Sequence, residues 1–181
     1  MNKKIKIAGL CGSLRSGSFN KKILNMAAEL MPENMKLEIV DFEQIPYYNE
    51  DLDTETTTPK SVTEFRQKLT ECSGFFIVSP EYNYSIPGGL KNALDWASRG
   101  ANNPLSNKPV SLMGATLGMW GTSRMQTAFL PIFHLLNMRV VKPEILINSA
   151  HKKFDENGNF NDDFAKNLIK ENLENLKKAV L

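Results

Sequence analysis

Residues 12–20 (GSLRSGSFN) hold two glycines, three serines, an asparagine and Arg15 within nine positions. Short hydroxyl and amide side chains beside a planar guanidinium fork are the groups that bind phosphate oxygens, and the glycines let the chain turn tightly around such an anion. An apolar run at residues 4–11 precedes the stretch and an amphipathic pattern follows from about Asn20, so the loop opens a helix. The positive end of that helix adds unpaired N–H groups to the same place. The loop lacks the Gly-Lys-Ser/Thr ending of a triphosphate loop and the Gly-x-Gly-x-x-Gly of a dinucleotide fold. A monophosphate is the anion it suits.

Two further segments have unusual composition. Residues 80–89 (PEYNYSIPGG) combine two stiffening prolines with Tyr82 and Tyr84, which can border a flat aromatic ligand, and a Gly pair that permits close backbone approach. Residues 115–121 (ATLGMWG) place Gly118 and Gly121 where backbone N–H groups can meet the edge of a ring.

The elements that must position these loops alternate regularly. Apolar runs at residues 4–11, 36–41, 74–79, 108–114 and 139–147 read as strands, separated by five helical patterns. This is the signature of βαβ units, and it predicts an α/β fold with a doubly wound, five-stranded parallel sheet in the order 2-1-3-4-5 and helices on both faces. Helix one presents Ile23, Leu24, Ala27, Leu30 and Met31 on one side. Helix two starts near Thr58, with Pro59 inside its first turn and a capping-box spacing from Ser61 to Glu64. Helix three covers residues 90–99, and helix four covers residues 123–136 with a bend expected at Pro131. Helix five runs from about Asp162. Trp96 falls off the apolar face of helix three, which points to a second buried surface between subunits.

In the order 2-1-3-4-5 the loops after strands one, three and four are neighbours at the carboxyl edge, where such sheets bind ligands. These are the three unusual segments. A phosphate at one end and a planar heterocycle at the other describe a flavin mononucleotide better than an adenine nucleotide.

GSLRSGSFN followed by SPEYNYSIPGGLKNALDWASR closely resembles the NADPH-dependent FMN reductases, a flavodoxin-like family of quinone, chromate and azo-dye reductases, and the resemblance covers essentially the whole chain. It implies FMN held by Ser13, Arg15, Ser18, Phe19 and Asn20 around the phosphate and ribitol, with Pro80, Glu81, Tyr82, Asn83 and Tyr84 along the isoalloxazine ring, and Thr116 and Gly118 at the ring from the third loop. It further implies NADPH or NADH as co-substrate, a small-molecule electron acceptor (quinone, azo compound, chromate or flavin), and a homodimer or homotetramer. The third loop departs from the family pattern: Gly121, Thr122, Ser123 and Arg124 stand where relatives often carry a Gly-Gly pair before the arginine, and Trp120 is bulky. No side chain need act as nucleophile or base, because the cofactor carries the reactive atom. The alternative is a flavodoxin-type electron carrier, whose acidic face this chain lacks.

The bulk properties agree. The 181 residues, 41% hydrophobic and 23% charged, suit one domain over residues 1–181. Twenty-two basic and 20 acidic residues leave a net charge of +2, so neither nucleic acid nor membrane is expected as a partner. Cys11 and Cys72 read as buried small hydrophobes in a reducing, cytoplasmic setting, and His134 and His151 as structural or solvated, with no metal set.

Overall fold

A computed structural model describes residues 4–100 and 102–181. Strand β1 (Ile5–Cys11) is followed by α1 (Phe19–Glu29), β2 (Met35–Ile39), α2 (Lys60–Thr70), β3 (Gly74–Val78), α3 (Gly88–Ala97), β4 (Pro109–Ala115), α4 (Ser123–Leu135), β5 (Arg139–Val140), β6 (Ile145–Ile147) and α5 (Asp163–Val180). All pairings are parallel, in the order β2-β1-β3-β4-β5, with β6 also on β4. The doubly wound, flavodoxin-like sheet read from the sequence is therefore present.

Every residue of β3 and β4 is buried, as expected of central parallel strands covered on both faces. Side-chain alternation divides the interior in two. Ile7, Phe76 and Met113 pack with Ile23, Leu24 and Ala27 of α1 and Ile169, Leu173 and Leu176 of α5. Leu10, Phe75 and Leu112 pack on the opposite face with Phe65 and Leu69 of α2, Leu90 and Leu94 of α3, and Phe129 and Phe133 of α4.

Several details differ from the sequence reading. The fifth strand is two short strands, because Pro143 has no N–H to extend a ladder. The exposed carbonyl groups of that interruption are taken by α5: Asn172 Nδ2 donates to Val141 O and Pro143 O at 3.2 and 2.8 Å, and Asn175 Nδ2 to Lys142 O at 3.1 Å. The capping box of α2 does not form, since Pro59 is the N-cap, with no side-chain cap, and Ser61 lies inside the helix. Helix α3 begins at Gly88, two residues earlier than expected, on the carbonyl of Pro87. Helix α4 runs from Ser123 to Leu135 with Pro131 inside it, at an exposed position where water can take the carbonyl that the proline leaves without a donor.

Trp96 corrects a larger expectation. It is fully buried within its own chain, where Nε1 donates to Pro46 O at 2.8 Å and the ring meets Tyr48 edge-on at 4.9 Å. Arg66 locks the arrangement by donating to Trp96 O and, with both ends of its fork, to Asp53. No second subunit is needed to explain this tryptophan.

Candidate functional site

The carboxyl ends of β1, β3 and β4 lie side by side, with Cys11 paired to Val78 and Val78 to Met113. Fully buried Ser79 is where the three loops meet. Gly12 N donates to Val78 O at 2.9 Å and Ser79 N to Met113 O at 3.0 Å. A Cβ on Gly12 would sit 2.2 Å from Ser79 Oγ, and one on Gly114 only 2.1 Å from Ser79 O. Both positions require glycine, because the strand tips approach too closely for any side chain. Neither Ser79 nor Gly114 stood out in the sequence, where the only signal was their position at strand ends.

In the first loop, Ser13 and Ser18 are buried while residues 14–17 are exposed. Ser18 caps α1, its hydroxyl accepting from Lys21 N at 3.4 Å, and Ser18 N closes a turn onto Arg15 O. The guanidinium of Arg15 makes one long donation, 3.4 Å to Gly17 O, and is otherwise uncommitted among the described residues. Lys21 Nζ reaches Leu14 O at 3.3 Å and brings a second cation to the loop. Two cations, a buried pair of serines and the free N–H groups of a helix start form a donor set for a phosphate.

Two residues of this loop commit their side chains to other parts of the fold. The Asn20 amide is spent on β4: Nδ2 donates to Ala115 O at 3.0 Å and Oδ1 accepts from Ala115 N at 2.8 Å. The ladder with β3 has ended at Met113, and Asn20 supplies the partner that Ala115 would otherwise lack. Phe19 turns instead to Phe154, ring centroids 4.9 Å apart. Only the backbone N–H groups of these two residues face the loop's anion site, as the first of α1.

The second loop is a tight hairpin in which Tyr82 and Ser85 exchange backbone hydrogen bonds at 3.1 and 2.9 Å. Asn83 and Tyr84 fill its corner with φ of +48° and +62°. Left-handed backbone is tolerated by asparagine, but at tyrosine it costs about 1 kcal/mol, which the two-residue hairpin turn imposes. Both tyrosine rings project into solvent, and Pro80 and Pro87 are buried at the base. The Glu81 carboxylate borders a cavity at this loop and is also committed to α4. Its Oε2 accepts from Arg124 N and Met125 N at 3.0 and 3.1 Å, capping α4 in place of Thr122, and Oε1 pairs with Arg124 at 3.5 Å.

In the third loop Thr116 is held from both sides, its N–H on Ile147 O and its C=O accepting from Ala150 N. Gly118 O accepts from Ser149 N at 3.1 Å. The segment after β6 thus supports this loop, a partner that no motif announced. Leu117, Met119 and Trp120 stand exposed, and the space where a Gly118 Cβ would point is open apart from Thr116 Oγ1 at 4.0 Å. Gly121 differs, with φ of +56° and a Cβ that would lie 2.9 Å from Leu146.

A cavity of about 490 Å³ lies beside Glu81, Asn83 and Tyr84. A cleft of about 550 Å³ lies elsewhere, between α1, α5 and residues 154–160. The loop convergence lies beside the first, while Ser13 and Lys21 of the donor set line a separate hollow of about 180 Å³ together with Asp41 and Glu43. His134 and His151 are exposed, and no group of three or more His, Cys, Asp or Glu among the described residues is arranged for a metal.

The sequence matches the model of a family described as NADPH-dependent FMN reductase over residues 5–152. It is 42% identical to the NAD(P)H-dependent FMN reductase of Pseudomonas aeruginosa, over 98% of this chain and 96% of that protein. It is 41% identical to the NAD(P)H:quinone oxidoreductase of Solanum tuberosum, over 92% and 88%. The solved structure of FerB, a flavoenzyme NAD(P)H:(acceptor) oxidoreductase from Paracoccus denitrificans, superposes with a TM-score of 0.85 at 25% identity, covering 97% of this chain and 98% of that one.

Proposed function

The chain belongs to the NADPH-dependent FMN reductase family, and from that premise we propose that FMN rests its phosphate on residues 13–18 and its ring along residues 80–84. The protein is an FMN-dependent NAD(P)H oxidoreductase that serves a small acceptor such as a quinone. FMN, when bound, supplies the redox chemistry, taking a hydride equivalent from the nicotinamide and passing two electrons to the acceptor.

The observation that carries this reading is the open donor set of the first loop, where the Arg15 fork and Lys21, at the start of α1, form no ion pair among the described residues. That set fits a phosphate. Ser13 and Ser18 line it, and Phe19 and Asn20 join through backbone N–H groups. The Asn20 amide holds this loop to β4, while Glu81 ties the second loop to the start of α4. These links keep the site's geometry fixed before ligand arrives, which lowers the ordering cost of binding. Pro80, Tyr82, Asn83 and Tyr84 form one wall of the ring space. Thr116 and Gly118 stand at its edge, with open space at Gly118 to receive it. No side chain serves as nucleophile, general base or metal ligand.

A flavodoxin-type carrier is not favoured, since relatives matched over nearly their full length are named as reductases. The reading extends to residues 1–181 as one domain and to a homodimer or homotetramer, supported by the exposed Leu117, Met119 and Trp120 at the mouth of the site rather than by Trp96. The buried free thiols of Cys11 and Cys72 support a cytoplasmic location, and the small net charge supports the absence of a nucleic-acid partner. No helix among the described residues is long and apolar enough to cross a membrane.

Steady-state oxidation of NADPH and NADH by the FMN-loaded protein, against a panel of quinone, azo and chromate acceptors, tests the function. Acceptor-dependent oxidation is expected. A protein that binds no flavin, or oxidises neither nicotinamide with any acceptor, would overturn it.

A further inference from the structure

Two arginines in this fold sit against tryptophan, and they differ in what their donors do. Arg66 spends both ends of its fork on Asp53 and its Nε on Trp96 O, so all three of its nitrogens are engaged. Arg124 stands 4.1 Å from the centroid of Tyr84 and 5.0 Å from that of Trp120, and its guanidinium makes no hydrogen bond among the described residues, only the 3.5 Å ion pair with Glu81. Its side chain is 37% exposed, and the rings that flank it are 70% and 66% exposed. A cation is therefore held in place by two aromatic faces, with donors left for a ligand.

The charge balance at this corner is positive. Glu81 offsets Arg124 through Oε1, but its other carboxylate oxygen, Oε2, accepts two N–H groups from the first turn of α4, whose end carries roughly half an elementary charge. One anion thus faces a full cation and a helix terminus. Tyr84 and Trp120 belong to the second and third loops respectively, so Arg124 bridges the two loops next to the cavity that Glu81, Asn83 and Tyr84 line.

We propose that Arg124, with the exposed faces of Tyr84 and Trp120, is an acceptor subsite that selects flat aromatic oxidants bearing an anionic substituent. The inference rests on the reading that this cavity is the entrance to the FMN site. The ring of the oxidant stacks on the aromatic faces, and its acidic group meets the free donors of the guanidinium.

The test is a binding titration by calorimetry on oxidised, FMN-loaded protein without nicotinamide, using an anthraquinone monosulfonate and its neutral monosulfonamide. The sulfonate is expected to bind more tightly to the wild type. Arg124→Gln should weaken the sulfonate about tenfold, the equivalent of about 1.4 kcal/mol, and leave the sulfonamide within about twofold. Arg124→Lys keeps the charge without the planar fork and should fall between the two. A sulfonate-to-sulfonamide ratio unchanged in Arg124→Gln, or absent in the wild type, overturns the subsite. FMN affinity and thermal unfolding are measured on each variant. Intact FMN binding with an unchanged ratio refutes the subsite alone, whereas failure of the wild type to bind FMN refutes the functional reading and the subsite together.

Discussion

Replacing Asn20 separates two accounts of the first loop. If the amide is a clamp, Asn20→Ala removes two hydrogen bonds, of 2.8 and 3.0 Å, and leaves the N–H and C=O of buried Ala115 unpaired. Two lost bonds cost about 2 kcal/mol, and the stranded backbone groups add up to about 2 more, so the expected loss is roughly 2–4 kcal/mol. Asn20→Asp keeps the acceptor for Ala115 N but sets a carboxylate oxygen against Ala115 O, and should cost at least as much near neutral pH. With a urea slope of about 2 kcal/mol per molar, the unfolding midpoint of the FMN-free protein falls by about 1–2 M. Urea titration followed by circular dichroism reads this directly. If the side chain instead served the phosphate, Asn20→Ala would lose FMN affinity while the FMN-free midpoint moved by less than about 0.3 M. That result would refute the clamp.

Arg15→Ala removes the open fork of the first loop, and FMN affinity should fall about 30- to 100-fold in a fluorescence titration while riboflavin affinity changes little; a value within about twofold of wild type would show that the guanidinium does not meet the phosphate. The two glycines of the third loop should behave differently. Gly118→Ala enters open space and leaves the melting temperature unchanged while altering FMN affinity or potential, whereas Gly121→Ala meets Leu146 at 2.9 Å with φ of +56° and should lower the melting temperature by several degrees, about 1–2 kcal/mol. Burial pushes the Cys72 thiol up from 9.0 to about 11, with the Glu38 charge adding to it. The unfolded chain therefore loses this proton first as pH rises, so the contribution of Cys72 to stability is complete below pH 9 and is lost between pH 9 and pH 11. Urea melts across that window should show wild type losing roughly 2–3 kcal/mol more than Cys72→Ala, and equal losses would place the thiol in contact with water.

The sheet order and the three loops were legible because they rest on local signals: long apolar runs for buried parallel strands, glycine and proline at their ends, and helical periodicity between them. The roles of particular polar side chains were not. Asn20 could serve a phosphate or a strand edge equally well by residue type, and only the ending of the β3–β4 ladder at Met113 decides for Ala115. Glu81 was read as part of a ring wall, yet the uncapped start of α4 lies within reach and takes its carboxylate. The same holds for Trp96, whose place off the apolar face of α3 made sense as an interface until residues 46–53 folded over it. Ser61 and Glu64 have capping-box spacing, but Pro59 starts the helix two residues sooner. For Asn20, Glu81 and Trp96 a contact distant in sequence decided the role of the side chain, whereas at α2 a neighbouring proline did.

The most direct test of the convergence of the three loops on one cofactor is a crystal structure of the protein soaked with FMN. The phosphate is expected within hydrogen-bond distance of Ser13, Arg15 and Ser18, with the ring alongside residues 80–84. Flavin density in the cleft between α1 and α5, beside Lys22, Lys166 and Lys170, with the loops at the carboxyl edge empty, would contradict it.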